Sequence, residues 1–261
     1  MKFMIAVDCD GPACVVGDPD RALSDSRDMP FAREQATREA DAAARALFDA
    51  GAGHVTVWDN HGFGANLLFD RLDRRCDVLL GTGFDRRFPG LDETFAGVLM
   101  VGYHAMEGTR NGVLAHTYSP YAFRAIRVNH TPVGEIALDA SVAGAFDVPL
   151  IFLSSDDKGC SEGLRFMPWI ETVATKEGLG RNCARSKHPA VVEEEIAAAV
   201  KQAVARLPEM RPFAFDLPAR LEIRFMTVLQ ALKARIRRRT WRLSGPRTIR
   251  TTVPTMRDWR C

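Results

Sequence analysis

Asp8 and Asp10 stand two positions apart after a short apolar run, in the order Asp-Cys-Asp-Gly. Along an extended chain alternate side chains share a side, so both carboxylates point one way and Cys9 the other. Gly11 then frees the backbone to turn. Like charges this close repel unless a proton or cation lies between them. Read alone, the pair fits a solvated acidic loop as well as a metal site. Three of the six histidines shift the balance. His61 lies in Trp-Asp-Asn-His-Gly, His104 in Val-Gly-Tyr-His-Ala and His116 in Leu-Ala-His-Thr-Tyr-Ser, each just beyond a segment of strand type. Imidazole is the commonest metal ligand and the side chain most readily used as an acid or base near neutral pH. Glu135 is positioned to complete the set. Oxygen and imidazole donors without thiolates suit zinc, manganese or a related divalent ion. His54, His130 and His188 are assigned to structural or surface roles, and Cys9 to a small buried residue facing into the sheet.

These residues need elements to hold them. Strands are predicted at Lys2–Val7, His54–Trp58, Asp77–Leu80, Gly97–Gly102, Val148–Leu153 and Thr172–Thr175. Helices are predicted at Pro30–Ala50, Ala65–Leu72, Ile136–Phe146 and Val191–Leu207. A hairpin is expected from Ala125–Asn129 to Pro132–Glu135 around His130 and Thr131. The alternation predicts an α/β fold: a mostly parallel sheet flanked by helices, binding ligands beyond the carboxyl ends of its strands. After the Pro-containing stretch 207–218, a β-like segment (Arg220–Met226), a helix and a basic run (Lys233–Arg242) suggest a smaller C-terminal α+β segment. Expected domains are residues 1–210, the α/β domain that carries these residues, and 211–261, a subdomain or oligomerisation segment.

With 261 residues, 46% hydrophobic, the chain can bury a core without disulfides. Its six cysteines (Cys9, Cys14, Cys76, Cys160, Cys183, Cys261) show no metal-ligand spacing and read as reduced thiols in a cytoplasmic protein. The net charge of +2 gives no argument for nucleic acid. No signal peptide or membrane-spanning run is visible, so no membrane partner is expected. The basic run is read as a solvated helix face or oligomer contact.

The ordered series D-C-D-G, D-N-H-G, G-Y-H-A-M-E-G-T, H-T-Y-S, V-G-E-I-A-L-D-A and K-E-G-L-G-R-N-C-A-R resembles the DppA-type D-aminopeptidases, from Met1 to about Arg185. The resemblance implies two zinc ions in one site. It implies that Asp8 bridges both, that Asp10 and His104 bind one, that His61 and Glu135 bind the other, and that His116 is a catalytic histidine outside the metal shell. It further implies short peptide substrates with D-residues at the amino end and a ring-shaped homo-oligomer, a decamer in that family. One departure stands out: the family usually carries Glu where this chain has Asp10.

The expected function is thus a metal-dependent aminopeptidase acting through a metal-activated water. The stretch from Lys176 to Arg185 either lines the site or is a solvated loop. Two alternatives remain. One is a haloacid-dehalogenase-type phosphohydrolase, using Val-Asp-Cys-Asp-Gly as nucleophile loop and Ser154–Asp157 for magnesium. The other is a non-catalytic metal-binding scaffold.

Overall fold

The apolar run at the amino end forms strand β1 (Lys2–Val7), whose side chains divide between two cores. Phe3, Ile5 and Val7 enter one, Met4 and Ala6 the other, as the two-residue period of a strand buried on both faces requires. A computed structural model describes residues 1–238, 240–257 and 259. Beyond β1 come α1 (Met29–Asp49), β2 (His54–Asp59), β3 (Asp77–Leu79), β4 (Gly97–Val101), β5 (Phe123–Val128), β6 (Thr131–Val133), α2 (Glu135–Gly144), β7 (Leu150–Asp156) and α3 (Asp157–Phe166). They are followed by β8 (Glu171–Gly180), β9 (Cys183–Ser186), α4 (Pro189–Ala205), β10 (Ala219–Phe225), α5 (Val228–Arg237), β11 (Arg242–Gly245) and β12 (Thr248–Val253).

The main sheet has the order β3-β2-β1-β4-β7-β8-β9 and is parallel except at β8–β9. One face is covered by α1 and α4, which pack on each other and bury small residues such as Ala36, Ala40 and Ala203 in the core on that face. On the other face α2, buried on all sides, is sandwiched between the main sheet and a second, antiparallel sheet of order β11-β12-β10-β5-β6. The expected fold class, a mostly parallel sheet flanked by helices with a smaller α+β part, is the one observed. The second sheet joins residues 123–133 to the C-terminal strands, because β10 pairs with β5.

Three local expectations change. The helix expected at Ala65–Leu72 is an irregular loop with one 3-10 turn, Phe69–Arg71. The Asp59 carboxylate accepts from the amides of Asn66 and Leu67 (2.5 and 2.9 Å), so a side chain satisfies the backbone there in place of a helical ladder. The hairpin turns one residue earlier than expected, on Asn129 and His130, both at positive φ (47° and 71°), the conformation a two-residue turn of matching twist needs. Glu135 consequently opens α2 and does not end a strand. Finally, Lys176–Arg185 is a β8–β9 hairpin with Lys176 buried.

The basic run divides between α5 and β11; Arg239 and Cys261 lie outside the described residues. Among the described residues the other five cysteines are free, and no helix is long and apolar enough to cross a membrane.

Candidate metal centre

Strand β1 lies between β2 and β4, all parallel, with Val7 level with both Asp59 and Val101. The residues following these three strands therefore emerge at one edge: Asp8 and Asp10, then Asn60 and His61, then Tyr103 and His104. The chain leaves β1 for opposite sides here, which opens a crevice at the strand ends. Two glycines permit the close approach of the loops. A Cβ on Gly11 would lie 2.0 Å from the Tyr103 carbonyl oxygen, and one on Gly102, at φ +71°, 2.3 Å from that of Asp8.

Asp8 sits at the middle of the cluster. Its Oδ1 is 2.7 Å from His61 Nδ1, and its Oδ2 is 3.3 Å from His104 Nε2. His61 Nδ1 also lies 3.1 Å from Asp10 Oδ2, and His104 Nε2 lies 3.2 Å from Glu135 Oε1. The His116 ring stacks on His104 at 3.9 Å, with its Nε2 3.9 Å from Glu135. All six side chains are buried or nearly so, and Cys9 packs away from them against the helical face, as expected.

Each imidazole is oriented from behind. His61 Nε2 lies 3.0 Å from Ser24 Oγ, while His104 Nδ1 and His116 Nδ1 face the carbonyls of Ala105 (3.1 Å) and Leu114 (2.8 Å). Those carbonyls accept only, so on His104 and His116 Nδ1 donates outward and Nε2 is the atom that faces the cluster. The Tyr118 amide donates to Glu135 Oε1 (2.6 Å). Farther back, Arg87 pairs with Asp139 through both carboxylate oxygens (2.9 and 2.5 Å). Tyr103 donates to the same Asp139 and receives from Asn60 Nδ2 (2.9 and 2.8 Å).

The electrostatics favour positive charge at this point. Burial pushes the Asp8 carboxyl up, but the His104 and His61 rings against its two oxygens outweigh it and hold the group well below the usual carboxylate range. Burial likewise opposes charge on His61 and His104, yet the acids draw protons onto them and raise both well above the ordinary imidazole value. His116 goes the other way: burial and then the neighbouring His104 lower it, so its ring is neutral near pH 7.

The donor set fits divalent metal. Three trios of ligand atoms each lie within 4.8 Å of one another: Asp8-Asp10-His61, Asp8-His104-Glu135 and Asp10-His104-His116. Asp10 Oδ2 and His104 Nε2 are buried without a properly aligned hydrogen bond, although charged groups stand 3.1–3.3 Å away. Atoms aimed at a shared point and not at each other are what coordination requires. Two trios share Asp8, one with Asp10 and His61 and the other with His104 and Glu135, while the third places Asp10 with His104, the pair the resemblance implies for one ion, and brings His116 within their reach.

The cluster forms the floor of a cavity of about 480 Å³ walled by Trp58, Phe84, Tyr118 and Phe123, with Arg86, Arg87 and Arg181 at its sides. The magnesium acids of the phosphohydrolase alternative are engaged elsewhere. Asp156 caps α3 at Gly159 and accepts from Val113, while Asp157 accepts from Gly178. The sequence reading missed Ser24 and Glu39; Arg181, in the stretch expected either to line the site or to be a solvated loop, lines the cavity, and Lys176 at the start of that stretch is buried.

Known proteins resemble this chain in sequence and in fold. The family model for D-aminopeptidase matches residues 1–260. A D-aminopeptidase of Bacillus subtilis (strain 168) is 33% identical over 193 residues, 73% of this chain and 69% of that protein. The solved structure of the Zn-dependent D-aminopeptidase DppA from Bacillus subtilis, a self-compartmentalizing protease, superposes with a TM-score of 0.92 at 28% identity, covering 99% of this chain and 93% of that one. Fold, site and sequence thus converge on one conclusion: this chain belongs to the D-aminopeptidase family.

Proposed function

We propose that this protein is a zinc-dependent aminopeptidase that removes N-terminal D-amino acids from short peptides. The observation that carries the reading is the Asp8 carboxylate, with one oxygen on His61 and the other toward His104. Asp8, Asp10, His61, His104 and Glu135 would hold two divalent ions, with Asp8 shared. Bound there, such ions supply the Lewis acidity that amide hydrolysis needs. The protein's own groups do the rest. His116, neutral and fixed through Nδ1 on the Leu114 carbonyl, turns Nε2 toward the cavity, where it can take a proton from the attacking water and then pass that proton to the departing amine. The aromatic walls hold the side chain of the residue to be released, and the cavity's volume suits short peptides. Similarity to a self-compartmentalizing protease supports a ring-shaped assembly, a decamer by family resemblance, enclosing these cavities. The free cysteines support a cytoplasmic setting.

The test pairs metal analysis with assay on matched D- and L-aminoacyl p-nitroanilides. Two zinc equivalents per chain and D-preference are expected. A preference for L would overturn the substrate, and absence of bound metal would overturn the mechanism.

A further inference from the structure

The loop bearing Asp8 and Asp10 is gripped from below by groups that no proposed catalytic step uses. Lys176, 2% exposed, donates from Nζ to the carbonyl of Asp10 at 2.9 Å and to that of Pro12 at 2.7 Å. Its neighbour Thr175 donates from Oγ1 to the carbonyl between them, Gly11, at 2.6 Å. Glu39 of α1 accepts from the next amide, Ala13, at 2.8 Å. Adjacent residues of a strand normally face opposite sides, yet Thr175 and Lys176 serve one loop; the ladder's register shift at Ser155/Asp156 lies beside them. Three successive carbonyls and one amide are thus fixed by side chains of β8 and α1.

Burying an ammonium is costly, and two carbonyl acceptors offset only part of that cost. A buried lysine at this place therefore calls for a function. The loop it holds carries Asp10, whose carboxylate stands one carbon–carbon bond closer to its backbone than that of a Glu. A shorter carboxylate tolerates less displacement of its backbone.

We propose that Lys176 is a positioning residue for Asp10, clamping the Asp10 and Pro12 carbonyls so that the short carboxylate reaches the metal. The inference rests on the metallopeptidase reading above. Thr175 assists in the same sense, and Lys176 itself touches neither substrate nor metal.

The test compares the full-length protein with Lys176→Met, Asp10→Glu and the double variant, titrating the metal-free forms with Zn²⁺ and recording the visible spectrum of their Co²⁺ forms. In Lys176→Met, one of two ions should bind about 10–100-fold more weakly, and the cobalt spectrum should shift. At saturating metal, kcat should fall with KM little changed. Glu at position 10 should restore tight binding in the double variant, because the longer side chain spans the displacement; a purely structural lysine would show no such rescue. Wild-type metal affinity in Lys176→Met, or an equal loss with and without Glu at position 10, overturns the clamp while leaving the peptidase reading intact. A wild-type protein that binds no divalent ion overturns both. Should Lys176→Met fail to fold, Thr175→Val gives the same decision on a smaller scale: weaker binding of one ion upholds the clamp, and unchanged binding refutes it.

Discussion

Asp8 faces two imidazoles with two different oxygens, and that division of labour makes it the shared member of the cluster. Around it the residues differ in kind. His61 and His104 are drawn toward the charged state by the acids, whereas His116 is held neutral. A neutral imidazole with one nitrogen pinned on a carbonyl is suited to proton transfer. His116→Ala should therefore lower kcat by about 10²–10⁴-fold while both metals stay bound, as read by steady-state kinetics and metal analysis on the same sample. Loss of one metal would instead make His116 a ligand, as its closeness to Asp10 and His104 would permit. At this scale the sequence was informative. Asp8, Asp10, His61, His104, His116 and Glu135 could all be picked out from residue type and from their places after apolar runs. Ser24 could not, since a serine in a polar loop carries no local mark of the histidine it will meet.

Among the elements, the loops after β1 and β4 are pressed together backbone to backbone, and Gly11 is where the space runs out. Gly11→Ala should destabilise the fold by roughly 1–3 kcal/mol or more, through a Cβ with no room beside the Tyr103 carbonyl, and should also disturb the metal site; urea unfolding and metal content read the two effects. Helix α3 brings a different dependence. Glu162 is buried, accepts from the Met106 amide, and is pushed up by burial to about 7. Because the folded value lies above the unfolded one, the native state holds a proton that the unfolded chain has already released between about pH 4.5 and 7. Stability thus falls as pH rises through that window and is flat above it. In metal-free protein, Glu162→Gln should remove this contribution. The variant should gain on the wild type from pH 5 to pH 8 by on the order of 2 kcal/mol, measured by urea unfolding; parallel pH profiles would refute it. The elements themselves were mostly legible, because buried strands and amphipathic helices write their periods into the chain. The failure at Ala65–Leu72 has a specific cause: the Asp59 carboxylate takes the amides that a helix would have used.

For the whole molecule, the apolar face of α5 is the clearest sign of assembly. Val228, Leu229, Leu232 and Ile236 are 46%, 60%, 42% and 75% exposed. Leu229→Glu combined with Ile236→Glu should reduce the mass seen by analytical ultracentrifugation while leaving the protomer's stability within about 0.5 kcal/mol per site; an unchanged mass would remove α5 from the proposed assembly. What the sequence by itself determined was local: which residues can ligate, where strands end, where glycine must turn the chain, and, through six ordered motifs, the family. Sheet order lay beyond it, because the two-residue period says that a strand is buried but not beside which neighbour. Only the tertiary structure placed β1 between β2 and β4, carried Glu135 to the head of a helix, and set Lys176 beneath Asp10 across 166 positions of chain. Contacts at that separation are fixed by packing and by the need to satisfy buried polar groups, and neither is written in any local run of residues.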